Sequence, residues 1–126
     1  MANPYLETRI RTASPIDLVV QMYDGALRQI ELAREHFEAG RVRERAQAIS
    51  RALAIVNELR SSLDFERGAE VARNLEALYV YATDRLLEAN LRNERAALDA
   101  AAVALAPLRE AWSELATRPL DLPDRT

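Results

Sequence analysis

The chain has 126 residues and a net charge of −3 at pH 7, and 49% of its residues are hydrophobic and 29% charged. This length fits one domain with one core, and the composition is that of a globular protein. The charge balance argues against a nucleic-acid-binding domain. The lack of cysteine excludes disulfides and thiolate nucleophiles, and no apolar run is long enough to span a membrane.

The first 13 residues are predicted to form an arm outside the helical core. They carry Tyr5 and Ile10 among polar residues, without a helical spacing that continues. They also lack the basic and then apolar pattern of a signal peptide, so the cytoplasm is the expected compartment.

Ser14 and Pro15 predict the start of helix 1, because serine can accept a bond from a free amide N–H and proline suits the first helical turn. Gly40 predicts its end, because glycine readily adopts the left-handed conformation that terminates helices. Between these points apolar residues recur at steps of three and four, as on the buried face of a bundle helix. This face comprises Val19, Tyr23, Ala26, Ile30, Ala33 and Phe37.

Apolar periodicity predicts three further helices, over residues 42–62, 69–91 and 94–116. A loop is expected over 63–68, and Asn93 is expected to cap helix 4. Pro107 is expected to kink helix 4, because a proline removes an amide donor and clashes one turn back. Residues 117–126 contain two prolines and are predicted to be a loose tail. The buried face of helix 4 is predicted to contain Leu98, Ala101, Leu105, Leu108, Trp112 and Leu115.

Four amphipathic helices with short connections predict an all-α fold, an antiparallel up-and-down four-helix bundle over residues 14–116. The whole chain, 1–126, is predicted to be a single domain with the arm at one end and the tail at the other.

Helices 2 and 3 carry more apolar surface than a bundle core requires. On helix 2, a stripe of Ile49, Leu53 and Val56 is widened by Ala48, Ala52, Ile55 and Leu59. On helix 3, the predicted core positions are Val71, Leu75, Leu78, Ala82 and Leu86, and a separate stripe holds Val80, Leu87 and Leu91. The arm, the loops or a second subunit could cover these stripes. Otherwise they form a groove for an amphipathic helix of a partner.

No catalytic constellation, cofactor motif or metal-ligand pattern is recognisable, so the protein is not expected to be an enzyme. The segment from His36, the single histidine, to Gly40 weakly resembles the pattern of histidine phosphotransfer bundles. His36 is nevertheless expected to be a solvated residue near a helix end. A phosphotransfer-like signalling module or an adaptor is one alternative function for such a bundle, and a self-associating structural bundle is another.

Four blocks of the chain resemble the flagellar secretion chaperones of the FliS family. They cover about residues 5–115 in order and without large gaps, and none is decisive alone. They are Tyr5 with Thr12-Ala13-Ser14-Pro15 and Met22-Tyr23-Asp24-Gly25-Ala26-Leu27; Leu59-Arg60-Ser61-Ser62-Leu63-Asp64; Leu78-Tyr79 with Arg85-Leu86-Leu87-Glu88-Ala89-Asn90 and Leu91-Arg92-Asn93; and Leu108-Arg109-Glu110-Ala111-Trp112.

The resemblance implies a cytoplasmic four-helix bundle that binds the disordered C-terminal segment of flagellin, prevents its premature polymerisation and delivers it to the export gate, a second partner. It also implies an N-terminal arm that lies in the client groove when no client is bound. On this chain the predicted flagellin-binding groove uses Ile55, Leu59, Val80, Leu87 and Leu91, and the predicted lid uses Tyr5 and Ile10. No cofactor, metal, nucleic acid or membrane insertion is expected.

Overall fold

The computed structural model describes residues 14–117, which form four α-helices and contain no strand. They are α1 (Pro15–Glu38), α2 (Val42–Ser61), α3 (Phe65–Arg92) and α4 (Arg95–Thr117). Helix α1 packs against α2 and α4, and α3 packs against the same two helices. Consecutive helices joined by short turns are therefore neighbours, which confirms the predicted four-helix bundle.

Both ends of α1 follow the sequence prediction. The Ser14 side chain accepts a bond from the Asp17 amide at 3.1 Å, and the Asp17 carboxylate accepts one from the Ser14 amide at 3.2 Å. This reciprocal capping box satisfies two amides that have no partner inside the helix. At the other end Gly40 has a φ of +72°, the left-handed geometry that lets the chain turn into α2.

The connection between α2 and α3 differs from the predicted loop. Helix α3 begins at Phe65, because the Asp64 carboxylate accepts bonds from the amides of Glu66 and Arg67 at 3.1 and 3.0 Å. A kink at Ala69 separates this first turn from the rest of α3, because the φ of 44° and ψ of −114° at Ala69 are not helical. An alanine in this region of backbone conformation is strained, because its Cβ crowds the peptide.

Asn93 has a different role from the one predicted, because it terminates α3 rather than starting α4. Its φ of 58° and ψ of 39° are left-handed, which asparagine tolerates better than most residues. Its side-chain oxygen accepts a 2.5 Å bond from Arg45 on α2, a guanidinium that is 7% exposed and lies 5.0 Å from the Phe37 ring centroid. Asn93 therefore links the α3–α4 turn to the α1–α2 end of the bundle.

Pro107 lies inside α4, which runs as one helix from Arg95 to Thr117. The helix therefore does not end at this proline, and the expected kink stays a prediction. Proline still removes the amide that would bond to the Val103 carbonyl one turn earlier, so the helix continues around a missing bond.

The predicted core faces of α1 and α4 are largely confirmed, and that of α3 is confirmed in part. Ala82 and Leu86 are buried and Leu75 packs against the core, as predicted. Val71 and Leu78 are wrong, because they are 64% and 37% exposed, and the adjacent Ala72 and Tyr79 are buried in their place. On α4 the prediction fails only at the last position, where Leu115 is 44% exposed.

Three ion pairs close the outer edge between α1 and α4. From one end of the bundle to the other they join Glu38 to Arg95, Arg34 to Asp99 and Asp24 to Arg109. The Arg109 guanidinium contacts both carboxylate oxygens of Asp24, at 2.7 and 3.4 Å, and this pairing raises the Arg109 pKa. This edge is therefore charged and paired along its length.

Candidate partner-binding surfaces

An open apolar groove of about 540 Å³ lies between α1 and α2. Gly25 allows these helices to approach closely, because a Cβ at this position would lie only 3.3 Å from the Ile55 Cδ1 atom. Exposed apolar atoms of Leu18, which is 49% exposed, extend the groove toward the start of α1. Its lining residues are Leu18, Gln21, Met22, Gly25, Ala54, Ile55 and Glu58.

A second apolar surface lies on the other side of α2, at its edge with α3. The ion pair between Arg60 and Glu76, at 3.3 Å, shows which faces of these two helices meet. On α2, Leu53 lies two turns before Arg60 and on the same side of the helix. On α3, Val80 and Leu87 follow Glu76 at helical spacing and therefore lie on the side of α3 that faces α2. Leu53 and Val80 are half-buried, while Leu87 is 40% exposed.

The five residues of the predicted groove do not form one surface. Val80, Leu87 and Leu91 lie along the outer part of α3, and Leu91 is 81% exposed. Ile55 instead lines the α1–α2 groove, and Leu59 is 2% exposed in the core, so an exposed role for Leu59 is wrong. The sequence interpretation placed Ile55 and Leu59 together on one wide apolar arc of helix 2. In the structure this arc divides into a side that faces the core and two edges.

Several residues of the α1–α2 groove were missed by the sequence interpretation. Leu18, Met22 and Gly25 have helical spacing of four and three, parallel to the buried stripe that contains Tyr23. A glycine in this second stripe is the signal that could have revealed the groove, because a glycine inside a helix costs stability unless close packing needs it.

A smaller cavity of about 250 Å³ lies at the end of the bundle where α1 begins and α4 ends. Tyr79 and Trp112 lie at its inner side, and the exposed Val71 belongs to its rim. Its lining residues are Val19, Leu59, Ser62, Leu63, Asp64, Gly68, Val71, Ala72, Leu75, Tyr79 and Trp112.

The hydroxyls of Tyr23 and Tyr79 meet in the core at 2.5 Å, across the bundle from α1 to α3. Burial raises the pKa of Tyr23 above its ordinary value, and the bond to Tyr79 adds to this, while the Trp112 side chain opposes it. Burial also raises the pKa of Tyr79. Both phenols therefore stay neutral at physiological pH, and Tyr23 is a core residue, as its spacing predicts.

The block Met22-Tyr23-Asp24-Gly25 thus has a structural explanation at three positions. Tyr23 bonds to Tyr79 on α3, Asp24 pairs with Arg109 on α4, and Gly25 allows the approach of α2. One turn of α1 therefore contacts all three other helices. This turn fixes the bundle geometry on which the adjacent groove depends.

The ring of His36, half-buried in the last turn of α1, accepts a 2.9 Å bond at Nδ1 from the Arg41 side chain. Over residues 14–117 no cluster of three or more potential metal ligands is present, and no helix is long and apolar enough to cross a membrane. Tyr5 and Ile10 of the predicted lid, like the tail from residue 118 onward, lie outside the described residues.

These features define a helical bundle whose prominent surface elements are apolar grooves suited to protein segments. Residues 1–119 match the model of a family described as flagellar protein FliS. The chain is 38% identical to the flagellar secretion chaperone FliS of Salmonella typhimurium over 118 residues, 93% of this chain and 87% of that protein. It is 35% identical to the flagellar secretion chaperone FliSB of Pseudomonas aeruginosa over 107 residues, 85% of each chain.

The chain therefore belongs to the FliS family of flagellar secretion chaperones, as the four sequence blocks indicate. It is also 29% identical to the flagellar secretion chaperone FliS of Bacillus subtilis over 115 residues, 89% of this chain and 85% of that protein.

Proposed function

We propose that this protein is a cytoplasmic, non-enzymatic export chaperone. It binds the disordered C-terminal segment of flagellin, prevents premature polymerisation and delivers the subunit to the flagellar export gate. The observation that carries the proposal is the pair of apolar surfaces on either side of α2, in a chain whose relatives are named secretion chaperones.

A disordered client requires a long contact rather than one pocket. Ordering about 30 residues costs on the order of 30–60 kcal/mol of backbone entropy. At about 25 cal/mol per Å², burial alone would need roughly 1,200–2,400 Å² of apolar surface to offset this cost. The α1–α2 groove and the α2–α3 surface together offer a path across α2 for such a segment. The large ordering cost also keeps binding reversible, as delivery requires.

The test is calorimetric titration of the protein with a peptide from a flagellin C-terminus. Leu18→Asp in the α1–α2 groove and Leu87→Asp on the α2–α3 surface should each weaken binding by at least about tenfold. Both side chains are exposed by at least 40%, so the fold should tolerate the charge. Ile55→Asp is a poorer test than its sequence pattern suggests, because Ile55 packs against Gly25.

The matched control is Val103→Asp, which places the same charge at a 72% exposed apolar residue of α4. It should bind the peptide as the unmodified protein does. Unchanged affinity in both Leu18→Asp and Leu87→Asp, with helical content preserved, would refute these client surfaces, and no binding by the unmodified protein would refute the client.

The N-terminal arm is proposed to be a lid that competes with the client through Tyr5 and Ile10. An arm of about 13 residues can extend over 40 Å, enough to fold back along the bundle. Because the arm is tethered at Ser14, even a weak contact would be favoured by its high effective concentration. Displacing the arm subtracts from client affinity, whereas the docked arm limits self-association of the free protein.

Deleting residues 2–11 should therefore raise the affinity or on-rate for the flagellin peptide and increase aggregation of the free protein. Amide exchange provides the direct measurement: residues 5–12 should be protected in the free protein and exposed after binding. Full exchange in both states would exclude a lid, and weaker client binding after deletion would indicate that the arm touches the client.

His36 has no part in this mechanism, so His36→Ala should leave client affinity within about twofold of the unmodified value. A tenfold loss would contradict this assignment. Phosphate transfer to His36 from acetyl phosphate would instead support the alternative signalling function, which no feature of residues 14–117 favours.

A further inference from the structure

Helix α4 has an unusual distribution of charge. Residues 100–108 are nine consecutive apolar residues, although only one face of a bundle helix enters the core. The charged residues Arg95, Asp99 and Arg109 on either side of this run all pair with α1. The surface of α4 on the side away from α1 therefore carries no charged side chain through this run.

The edge of α3 that meets α4 is also apolar at its surface. Glu76 marks the side of α3 that faces α2, and Leu78 and Tyr81 lie roughly 140–160° around the helix from it. Since α3 packs only against α2 and α4, these two side chains lie at the α4 edge. Leu78 is 37% exposed and Tyr81 46%.

Together these residues form what we term the α3–α4 face: Leu78, Tyr81, Val103, Pro107 and Leu115. Val103, at 72% exposure, is its most prominent side chain. Ala104 and Ala111 lie on the α3 side of α4 and add no large or charged side chain to this face.

Acidic residues border this face on both sides. Asp84 and Glu88 follow the outer side of α3, and Glu110 and Glu114 follow the outer side of α4. Arg85, between the α3 acids, lies 5.5 Å from the Tyr81 ring centroid and is paired with Glu88. Glu110 is paired with Arg109 at 3.1 Å, whereas over residues 14–117 Asp84 and Glu114 have no ion pair.

We propose that the α3–α4 face is a second docking surface, which binds an amphipathic helix of another protein with aliphatic side chains on one face and lysine or arginine on both borders of that face. Aliphatic side chains match the exposed apolar face that includes Leu78, Tyr81 and Val103, and basic borders complement the acidic residues beside it.

The charge pattern also decides against other occupants. A second copy of this chain would bring acidic rims together around a two-fold axis, and an anionic membrane would be repelled. Five side chains offer roughly 300–600 Å² of apolar patch, less than the about 800 Å² per partner of a stable complex. The contact is therefore transient. It lies across the bundle from the α1–α2 groove, so a client and this partner can bind together.

The probe is a synthetic amphipathic helix with leucines on one face and lysines along both borders, labelled for fluorescence anisotropy. Its counterpart carries glutamates instead of the lysines. The lysine peptide should bind the full chain and the glutamate peptide at least roughly tenfold more weakly. Amide exchange should show protection around residues 78–81 and 103–107.

Val103→Arg should lower the affinity for the lysine peptide by at least roughly tenfold, because it places a cation in the centre of the apolar face. The matched control is Val42→Arg, at a valine on α2 that is 60% exposed and remote from the face, and its affinity should not change. Circular dichroism of both variants confirms that the bundle is intact.

The titration is then repeated with saturating flagellin C-terminal peptide, and the Kd of the lysine peptide should stay within about threefold. Displacement by the flagellin peptide, protection confined to the α1–α2 groove, equal binding of the lysine and glutamate peptides, or a dimer that Val103→Arg dissociates would each overturn the proposal. A protein that does not bind the flagellin peptide at all would contradict the proposed client alone, since the lysine peptide is first measured on the free protein.

Discussion

The buried tyrosine pair allows a quantitative test of how the bundle is held together. Tyr23 is fully buried and Tyr79 is 2% exposed. Among the described residues, the Tyr79 hydroxyl has a hydrogen bond only with the Tyr23 hydroxyl. Tyr23→Phe removes one hydroxyl and leaves the other buried without a partner. This should cost about 2 kcal/mol, within the 1–3 kcal/mol typical of an unsatisfied buried polar group.

The reverse change should cost less. After Tyr79→Phe, the Tyr23 hydroxyl still has the Trp112 side chain nearby, whose indole N–H can donate to it. We expect a loss of about 1 kcal/mol. The double variant buries two apolar rings of nearly unchanged shape and should lose less than about 1 kcal/mol in total. The double variant should thus be more stable than Tyr23→Phe alone.

The measurement is urea unfolding at pH 7, followed by far-ultraviolet circular dichroism. With a slope of about 1–2 kcal/mol per M, a loss of 2 kcal/mol lowers the midpoint by roughly 1–2 M. The control is Tyr81→Phe on the same helix, where the ring is 46% exposed and no change is expected. If the double variant loses the sum of the two single losses in the free energy of unfolding, the coupling is refuted, because only hydroxyls that do not interact contribute additively.

Three further outcomes follow from the described contacts. Burial raises the folded-state pKa of Tyr23 and Tyr79, so unfolded chains lose these protons first as the pH rises above about 10. The free energy of unfolding, measured from urea midpoints, should therefore fall above this pH by up to about 1.4 kcal/mol per pH unit for each tyrosine. The fall should be much smaller in the variant with phenylalanine at both positions. Ala69→Gly should raise the free energy of unfolding by about 1 kcal/mol, because glycine adopts the φ of 44° without strain, and a lower urea midpoint would contradict the assigned backbone geometry. Leu86→Ala should lower the free energy of unfolding by about 2–5 kcal/mol and Leu78→Ala by less than about 1 kcal/mol, whereas equal losses would restore the core face first predicted for α3.

Helix α1 could be predicted closely because several independent signals in its sequence agree. A serine and a proline define its start, Gly40 defines its end, and the residues between have a single dominant apolar stripe. Each signal has a local physical cause, a capped amide or a left-handed turn, which does not depend on the rest of the fold. Agreement between local signals and packing is what makes such a helix readable from sequence.

Helix α3 was harder because it has apolar residues on more than one side. Val71 and Leu78 satisfy the helical repeat as well as Ala72 and Tyr79 do, and they are more hydrophobic than alanine. What selects the second pair is not the regular helical repeat of α3. The Tyr79 hydroxyl meets that of Tyr23, and small Ala72 fits the crowded turn next to Gly68. A projection of one helix contains neither contact.

The same limit explains the mixed outcome for the predicted groove. Helix α2 was recognised as too apolar for a bundle core, but its wide apolar arc cannot show which part faces which neighbour. In the structure Leu59 points into the core, Ile55 lies at the α1 edge and Leu53 at the α3 edge. The ion pair between Arg60 and Glu76 orients α2 against α3, and only the folded arrangement shows that these two side chains meet.

Small residues in the core account for the apolar surface outside it. Nine of the 18 buried apolar residues described are alanines, among them Ala26, Ala52 and Ala101. Alanine contributes little apolar area, so helices that meet through it approach closely and their larger side chains are pushed to the edges. Leu53 and Ile55 on α2 are examples, because each is only half-buried against the core. A bundle packed in this way keeps part of its hydrophobic surface available, which a protein needs if it is to hold an unfolded partner without unfolding itself.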